Sequence, residues 1–282
     1  MNIKLYLVLM LPLLLLFSCT TSSGAEAAER YVVLSPEVAE LLCSLGLEDR
    51  IIGVTKECSY PPILATKEIV GDFGALNKEK IIQLQPGIIF SSALEQEAIS
   101  AEFTKLGFRV ESFYPTSLTE LYAGIARLGE ITGTQSRASV LTDSLKQNLE
   151  AVRQEASGKR RPKIFLEIYR DPLMSVSDQS FVGALIELAG GDNVFDSLER
   201  DYSRVDPEKV IEAAPDIMIC YSQDSLQSIL SRKGWQDIPA LKSGRIYFEA
   251  DINPDWIQRA GPRIVDGARR LRELCDQWEQ KP

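Results

Sequence analysis

Two glutamates stand at matching points of a doubled segment, and they are the residues of this chain best placed to do chemistry. Asn77-Lys-Glu-Lys-Ile-Ile-Gln-Leu-Gln-Pro-Gly-Ile-Ile-Phe90 is echoed 129 positions later by Asp206-Pro-Glu-Lys-Val-Ile-Glu-Ala-Ala-Pro-Asp-Ile-Met-Ile219. The copies share Glu79 and Glu208, and an aromatic residue lies six positions before each, Phe73 and Tyr202. Two carboxylates facing across a cleft could serve as acid and base in glycoside hydrolysis, with the aromatics as sugar platforms. An inverting pair would then sit ~6.5 to 9.5 Å apart. The same carboxylates near helix starts could equally present charge to a guanidinium partner, favoured there by the helix dipole. A glutamate early in a helix is also an ordinary capping preference, but its repetition at equivalent points of two units points to a shared task.

Other chemistry is excluded by composition. The chain has no histidine, so neither a Ser-His-Asp nor a Cys-His nucleophile system can be assembled, and imidazole-rich zinc or manganese sites are ruled out. There is no phosphate-binding G-x-x-x-x-G-K-[ST] loop and no G-x-G-x-x-G after a strand. Apart from Cys19, the cysteines are Cys43, Cys58, Cys220 and Cys275, and their spacing matches neither a zinc site nor a disulfide framework. Cys43, Cys220 and Cys275 fall in helical or strand patterns and read as packed thiols. No metal site, catalytic residue or cofactor is expected.

The elements that carry these residues alternate. In the first half, Tyr31 to Leu34 reads as a strand, Pro36 to Leu45 as a helix and Ile51 to Thr55 as a strand. The Glu79 helix follows, stopped by proline and leading into a buried strand. Gln96 to Leu106 reads as a helix ended by Gly107 before a strand from Phe108 to Phe113. The second half repeats the alternation with Lys163 to Tyr169, a helix from Phe181 to Ala189, the Glu208 helix with its strand, and a last strand at Gly244-Arg-Ile-Tyr-Phe. Such alternation predicts an α/β fold of two three-layer lobes with mostly parallel sheets and separate cores. Between the lobes, Ser117 to Thr132 and Gln135 to Ser157 are helical. The second segment carries a stripe of Val140, Leu141, Leu145, Leu149 and Val152 and would run ~34 Å, long enough to join both lobes.

The chain therefore divides into a signal peptide at 1-18, a flexible tether at 19-30, an N-terminal lobe at 31-116, linking helices at 117-160 and a C-terminal lobe at 161-282. Lys4 and the apolar run from Leu5 to Phe17 have the form of an export signal, shorter than the ~20 residues of a membrane-spanning helix. Leu16-Phe17-Ser18-Cys19 resembles the bacterial lipobox, which makes Cys19 the expected lipid anchor and the mature protein an extracytoplasmic, membrane-anchored lipoprotein. Without residues 1-18 the chain loses Lys4 and no acid. Lys+Arg falls from 31 to 30 against 40 acids, a net charge of about -10. That surface argues against nucleic acid and anionic lipid as partners.

Five further segments, in order and spacing, resemble the class III substrate-binding proteins of ABC importers. They are Leu45-Gly-Leu-Glu-Asp-Arg-Ile-Ile-Gly-Val, Cys58-Ser-Tyr-Pro-Pro, Asn77-Lys-Glu-Lys-Ile, Leu185-Ile-Glu-Leu-Ala-Gly-Gly-Asp-Asn and Gly261-Pro-Arg-Ile-Val-Asp-Gly. The resemblance covers Tyr31 to the C-terminus. It implies a monomeric, non-enzymatic receptor for cobalamin or an iron siderophore, with two α/β lobes joined by one long helix. It also implies delivery to a permease dimer with its ATPase subunits. By the same resemblance Glu79 and Glu208 are permease-docking residues, and Tyr60, Phe73, Met174, Tyr202, Trp256 and Arg259 line the ligand cleft. Gln258-Arg259-Ala260 departs from the family's pattern before Gly261-Pro262, where a proline is usual. Three cargoes remain open. The Glu57-Cys-Ser-Tyr-Pro-Pro segment and paired aromatics look like those of cobalamin receptors, whereas Arg170, Arg204 and Arg259 would suit a ferric siderophore. Haem could use a tyrosine or methionine as ligand, but no histidine is available as its second.

Overall fold

A computed structural model of the chain describes residues 29–92 and 96–280. The proposed signal and Cys19 lie outside the described residues. Among them, no helix is long and apolar enough to cross a membrane.

Each half folds around a parallel sheet. In the first lobe the strand order is Glu68–Ile69, Ile51–Val54, Tyr31–Val33, Ile88–Ser91, Val110–Ser112. In the second it is Asp192–Asn193, Lys163–Glu167, Ile217–Cys220, Ile246–Tyr247. Strand side chains alternate between faces, and that alternation splits the core. Val32, Leu34 and Ile89 pack outward with Ile81 and Phe103, while Tyr31, Val33, Ile88 and Phe90 point inward. In the second lobe Phe165 and Met218 pack outward on Trp235, and Ile164, Leu166, Ile217 and Ile219 point inward.

The inward faces belong to a single apolar cluster, which corrects the expectation of separate cores. Helix Gln135–Ala156 supplies Leu145, Leu149 and Val152 to that cluster, and helices Leu118–Thr132 and Ile264–Gln280 add Leu121, Ile125, Leu271 and Leu274. Only the outer faces have cores of their own. At 22 residues the joining helix is about 33 Å long. Its first turn is tied to the first lobe by Arg137, whose Nη1 donates to the Leu45 carbonyl at 2.7 Å. Its last turn meets Gly190 of the second lobe so closely that a Cβ there would lie 2.9 Å from Ala156 Cβ. Val140 leaves the predicted stripe, being 70% exposed, and Ala138 takes a buried place instead. Five residues before Leu145 is an angular step of about 140°, which points Val140 away from the seam.

The repeat is real in its backbone. Helix Lys78–Leu84 and helix Pro207–Ala213 are each seven residues long and end in a left-handed residue, Gln85 at φ 49° and Ala214 at φ 48°. Each precedes a proline, Pro86 or Pro215, which excludes helical geometry before it and lets a strand begin at Ile88 or Ile217. The starts differ. Asn77 accepts from the Lys80 amide at 3.0 Å, whereas Asp206 makes no such capping bond, and Pro207 pre-sets the first turn. A small antiparallel sheet of Tyr202–Arg204, Leu173–Val176 and Tyr169–Arg170 was not expected from the alternation. Its strands are short and joined in part by the Asp171-Pro172 turn, too brief to give a period.

Candidate functional site: an aromatic and acidic interlobe cavity

A cavity of about 500 Å³ lies between the lobes, open to solvent. Its aromatic wall takes Phe73 from the hairpin turn between Gly71–Asp72 and Ala75–Leu76, and Tyr202 from the start of strand Tyr202–Arg204. Tyr114, Phe181 and Tyr221 complete it. Tyr221 is fixed by donating its hydroxyl to the Ile252 carbonyl at 3.1 Å, and burial pushes its phenol far above the usual range. Phe73 is fixed through its backbone: its amide donates to Glu57 Oε1 at 3.1 Å. The lobes thus contribute one aromatic each from the positions preceding the repeated glutamates.

Among the described residues the cavity has one guanidinium, Arg259, and five carboxylates, Glu37, Glu57, Asp201, Glu249 and Asp255. Arg259 is engaged within the protein, by Asp255 at 3.0 Å and by Glu40 at 3.5 Å. Burial raises the Glu37 carboxyl, against the pull of the Ser35 hydroxyl and Arg259. Glu40 is 2% exposed and also takes both ends of Arg263, which reaches Asp255 at 3.3 Å. Glu40 belongs to helix Pro36–Ser44 of the first lobe, while Asp255, Arg259 and Arg263 flank the start of the C-terminal helix. This four-residue charge cluster fastens the lobes beside the cavity.

Of the six residues expected in the cleft, the structure brings Phe73, Tyr202 and Arg259 to the cavity wall. Tyr60 lies apart, 45% exposed, with its ring under the Arg263 guanidinium at 4.4 Å. Met174 pairs with Arg204 in the antiparallel sheet, and Trp256 packs against the central core. Glu79 and Glu208 are exposed and neither lines this cavity. Glu208 instead borders a groove of about 550 Å³ on the second lobe with Arg170, Leu173, Ile211, Lys233 and Trp235. The two carboxylates therefore share no cavity in which a sugar could be cleaved between them. The cavity acids Glu37, Glu57, Asp201 and Glu249 went unnoticed in the sequence. Only Glu57, inside the Glu-Cys-Ser-Tyr-Pro-Pro segment, and Asp201, beside Tyr202, had neighbours that could have drawn attention.

Among the described residues the four cysteines are free thiols, three of them buried. Burial pushes Cys43, Cys58 and Cys275 up to about 11, which keeps them protonated at neutral pH.

A profile of periplasmic binding proteins matches residues 32–252. The chain belongs to the periplasmic binding protein family. Within that family it is 27% identical over 253 residues to a Bacillus subtilis ABC transporter substrate-binding lipoprotein, covering 87% of this chain and 79% of the relative. It is 28% identical over 271 residues to the vitamin B12-binding protein of Vibrio vulnificus, covering 95% and 97% of the two chains. The solved periplasmic vitamin B12 binding protein of Vibrio cholerae superposes with a TM-score of 0.78 at 23% identity, covering 90% of this chain and 99% of that one. This periplasmic binding protein thus shares its family with a substrate-binding lipoprotein of an ABC transporter and with vitamin B12-binding proteins.

Proposed function

We propose that this protein is a lipid-anchored receptor that captures a corrinoid in the interlobe cavity and delivers it to an ABC permease dimer. The observation that carries this reading is the pair Phe73 and Tyr202, one from each lobe, in a cavity whose one guanidinium is already engaged by Asp255 and Glu40. Aromatic faces give a bulky, partly apolar ring broad contact with little side-chain entropy to lose. An anionic ferric siderophore or a haem with two propionates calls for several arginines, and among the described residues this wall offers one, Arg259, whose charge is already matched by Asp255 and Glu40 although its buried Nη1 keeps no hydrogen-bond partner. The likeness to a vitamin B12-binding protein along nearly the whole of both chains supports the same choice.

In this reading Phe73, Tyr202 and Arg259 touch the cargo. Tyr60, Met174 and Trp256 shape the surrounding loops or meet parts of a ring that extends beyond the cavity. Glu79 and Glu208, exposed at equivalent points of the lobes, dock on arginines of the two permease subunits, whose ATPases power uptake. Cys19 carries the lipid, and the protein works as a monomer on the outer side of the membrane. Purification from rich medium, followed by an absorption spectrum and mass analysis, tests the cargo. A corrinoid spectrum at one-to-one stoichiometry is expected. Haem or a ferric chelate in that position overturns the reading.

A further inference from the structure

The charges around the cavity do not cancel. Asp255 is matched by Arg259 and Arg263, and burial raises Glu37 toward its neutral form. Glu57, Asp201 and Glu249 remain, and among the described residues none of them has a lysine or arginine within 4.0 Å. Glu57 is the sharpest case. Its Oε1 receives the Phe73 amide, while its Oε2 is buried with no hydrogen-bond partner. A carboxylate oxygen left without a donor beside a ligand cavity costs free energy until something supplies a donor or a positive charge. The acids do not act as a chelator, because among the described residues no three of them gather as a metal site would require. They act on cargo together, as a field.

We propose that the interlobe cavity selects its cargo by charge, preferring a net-cationic ring to a neutral one of the same shape and disfavouring an anionic one. The ring itself rests on the corrinoid reading above. The charge preference rests on Glu57, Asp201 and Glu249 alone. For a corrinoid the axial ligand sets the net charge, water leaving a cation and cyanide a neutral molecule, so the protein would discriminate among axial forms of one cofactor. Peripheral amides of such a ring also carry the N–H donors that Glu57 Oε2 lacks.

The test is a titration of the purified protein with three corrinoids that share the ring. These are aquacobalamin, cyanocobalamin and a cyanocobalamin monocarboxylate made by hydrolysing one peripheral amide, carrying positive, zero and negative net charge. Affinity should fall in that order, with the ends of the series about tenfold apart or more at low salt. The spread should narrow as salt rises from about 50 mM to about 1 M, and narrow likewise in a Glu57→Gln, Glu249→Gln double variant. An unordered or reversed series overturns the charge proposal and leaves the corrinoid reading standing. If none of the three binds, the corrinoid reading fails, and a cationic ferric hydroxamate set against an anionic ferric catecholate decides the charge question. Tighter binding of the cation then supports the proposal. Equal or tighter binding of the anion, or no binding of either, overturns it.

Discussion

The carboxylate of Glu40 holds the guanidinium of Arg263 at two points, Oε2 to Nε at 2.7 Å and Oε1 to Nη2 at 2.6 Å, across 223 residues of chain. The pair joins the first helix of one lobe to the start of the C-terminal helix that packs with the other. The ion pair therefore fastens the lobes in addition to helix Gln135–Ala156 and the apolar cluster they share. Arg263→Ala would leave Glu40, 2% exposed, with Arg259 at 3.5 Å as its remaining partner. A buried charge robbed of its main partner is destabilising, and the loss here should be about 3 kcal/mol, at the low end for such pairs because Arg259 stays. Urea denaturation of the two proteins measures it. A loss below about 1 kcal/mol would mean that Arg259 replaces Arg263 fully.

Phe73 and Tyr202 make a separate prediction about affinity. Truncating either to alanine should weaken cargo binding by about 1 to 3 kcal/mol, with little effect on folding for Phe73, which belongs to no core cluster, and some loss of stability for Tyr202, which also packs against the central core. Tyr60→Ala should behave differently. Its ring supports Arg263 at 4.4 Å, so its loss should show first in the melting temperature and only secondarily in affinity. Calorimetry on the three variants separates the two outcomes, and equal affinity losses for all three would put Tyr60 back in the cleft.

Glu79 and Glu208 test the docking role. The double change to glutamine should leave cargo affinity nearly unchanged, since neither residue reaches the cavity, and should depress association with the permease in reconstituted vesicles. The effect should shrink at high salt, because both carboxylates are exposed. Unaltered transport by the double variant would remove them from the interface.

What could be read in the sequence was whatever the chain says by repetition or period. The doubled helix and strand around Glu79 and Glu208, the long helix and the parallel sheets are all periodic patterns of apolar residues, and they stand where the pattern put them. The shared core was illegible, because periodicity says which face of Tyr31–Val33 is buried but not that Leu145 and Ile164 belong to the same cluster. The cavity acids were illegible for a different reason. Glu37, Glu57, Asp201 and Glu249 come from separate segments of the chain, and only the fold brings them to one wall. The stacking of Tyr60 under Arg263 was illegible too, because one segment cannot reveal its neighbour in space.

Glu37 gives a prediction in pH. Burial raises its carboxyl above the ordinary 4.5, the Ser35 hydroxyl, its own backbone and Arg259 pull it down, and Glu40 pushes it up again. A raised folded-state value means the folded protein binds the proton more tightly than the unfolded chain does. Between 4.5 and the raised value the native state therefore carries more protons, and this group makes stability fall as pH rises. Above that window the ionised carboxylate is a constant penalty, and below 4.5 both states are protonated and the penalty is gone. Glu37→Gln should thus be more stable than the parent protein near neutral pH, with the advantage shrinking on acidification and vanishing below about 4.5. Groups common to both proteins cancel in the difference. Ligand-free denaturant melts at three pH values spanning the window decide it, and a glutamine variant less stable at neutral pH than in acid, relative to the parent, would reverse the sign argued here.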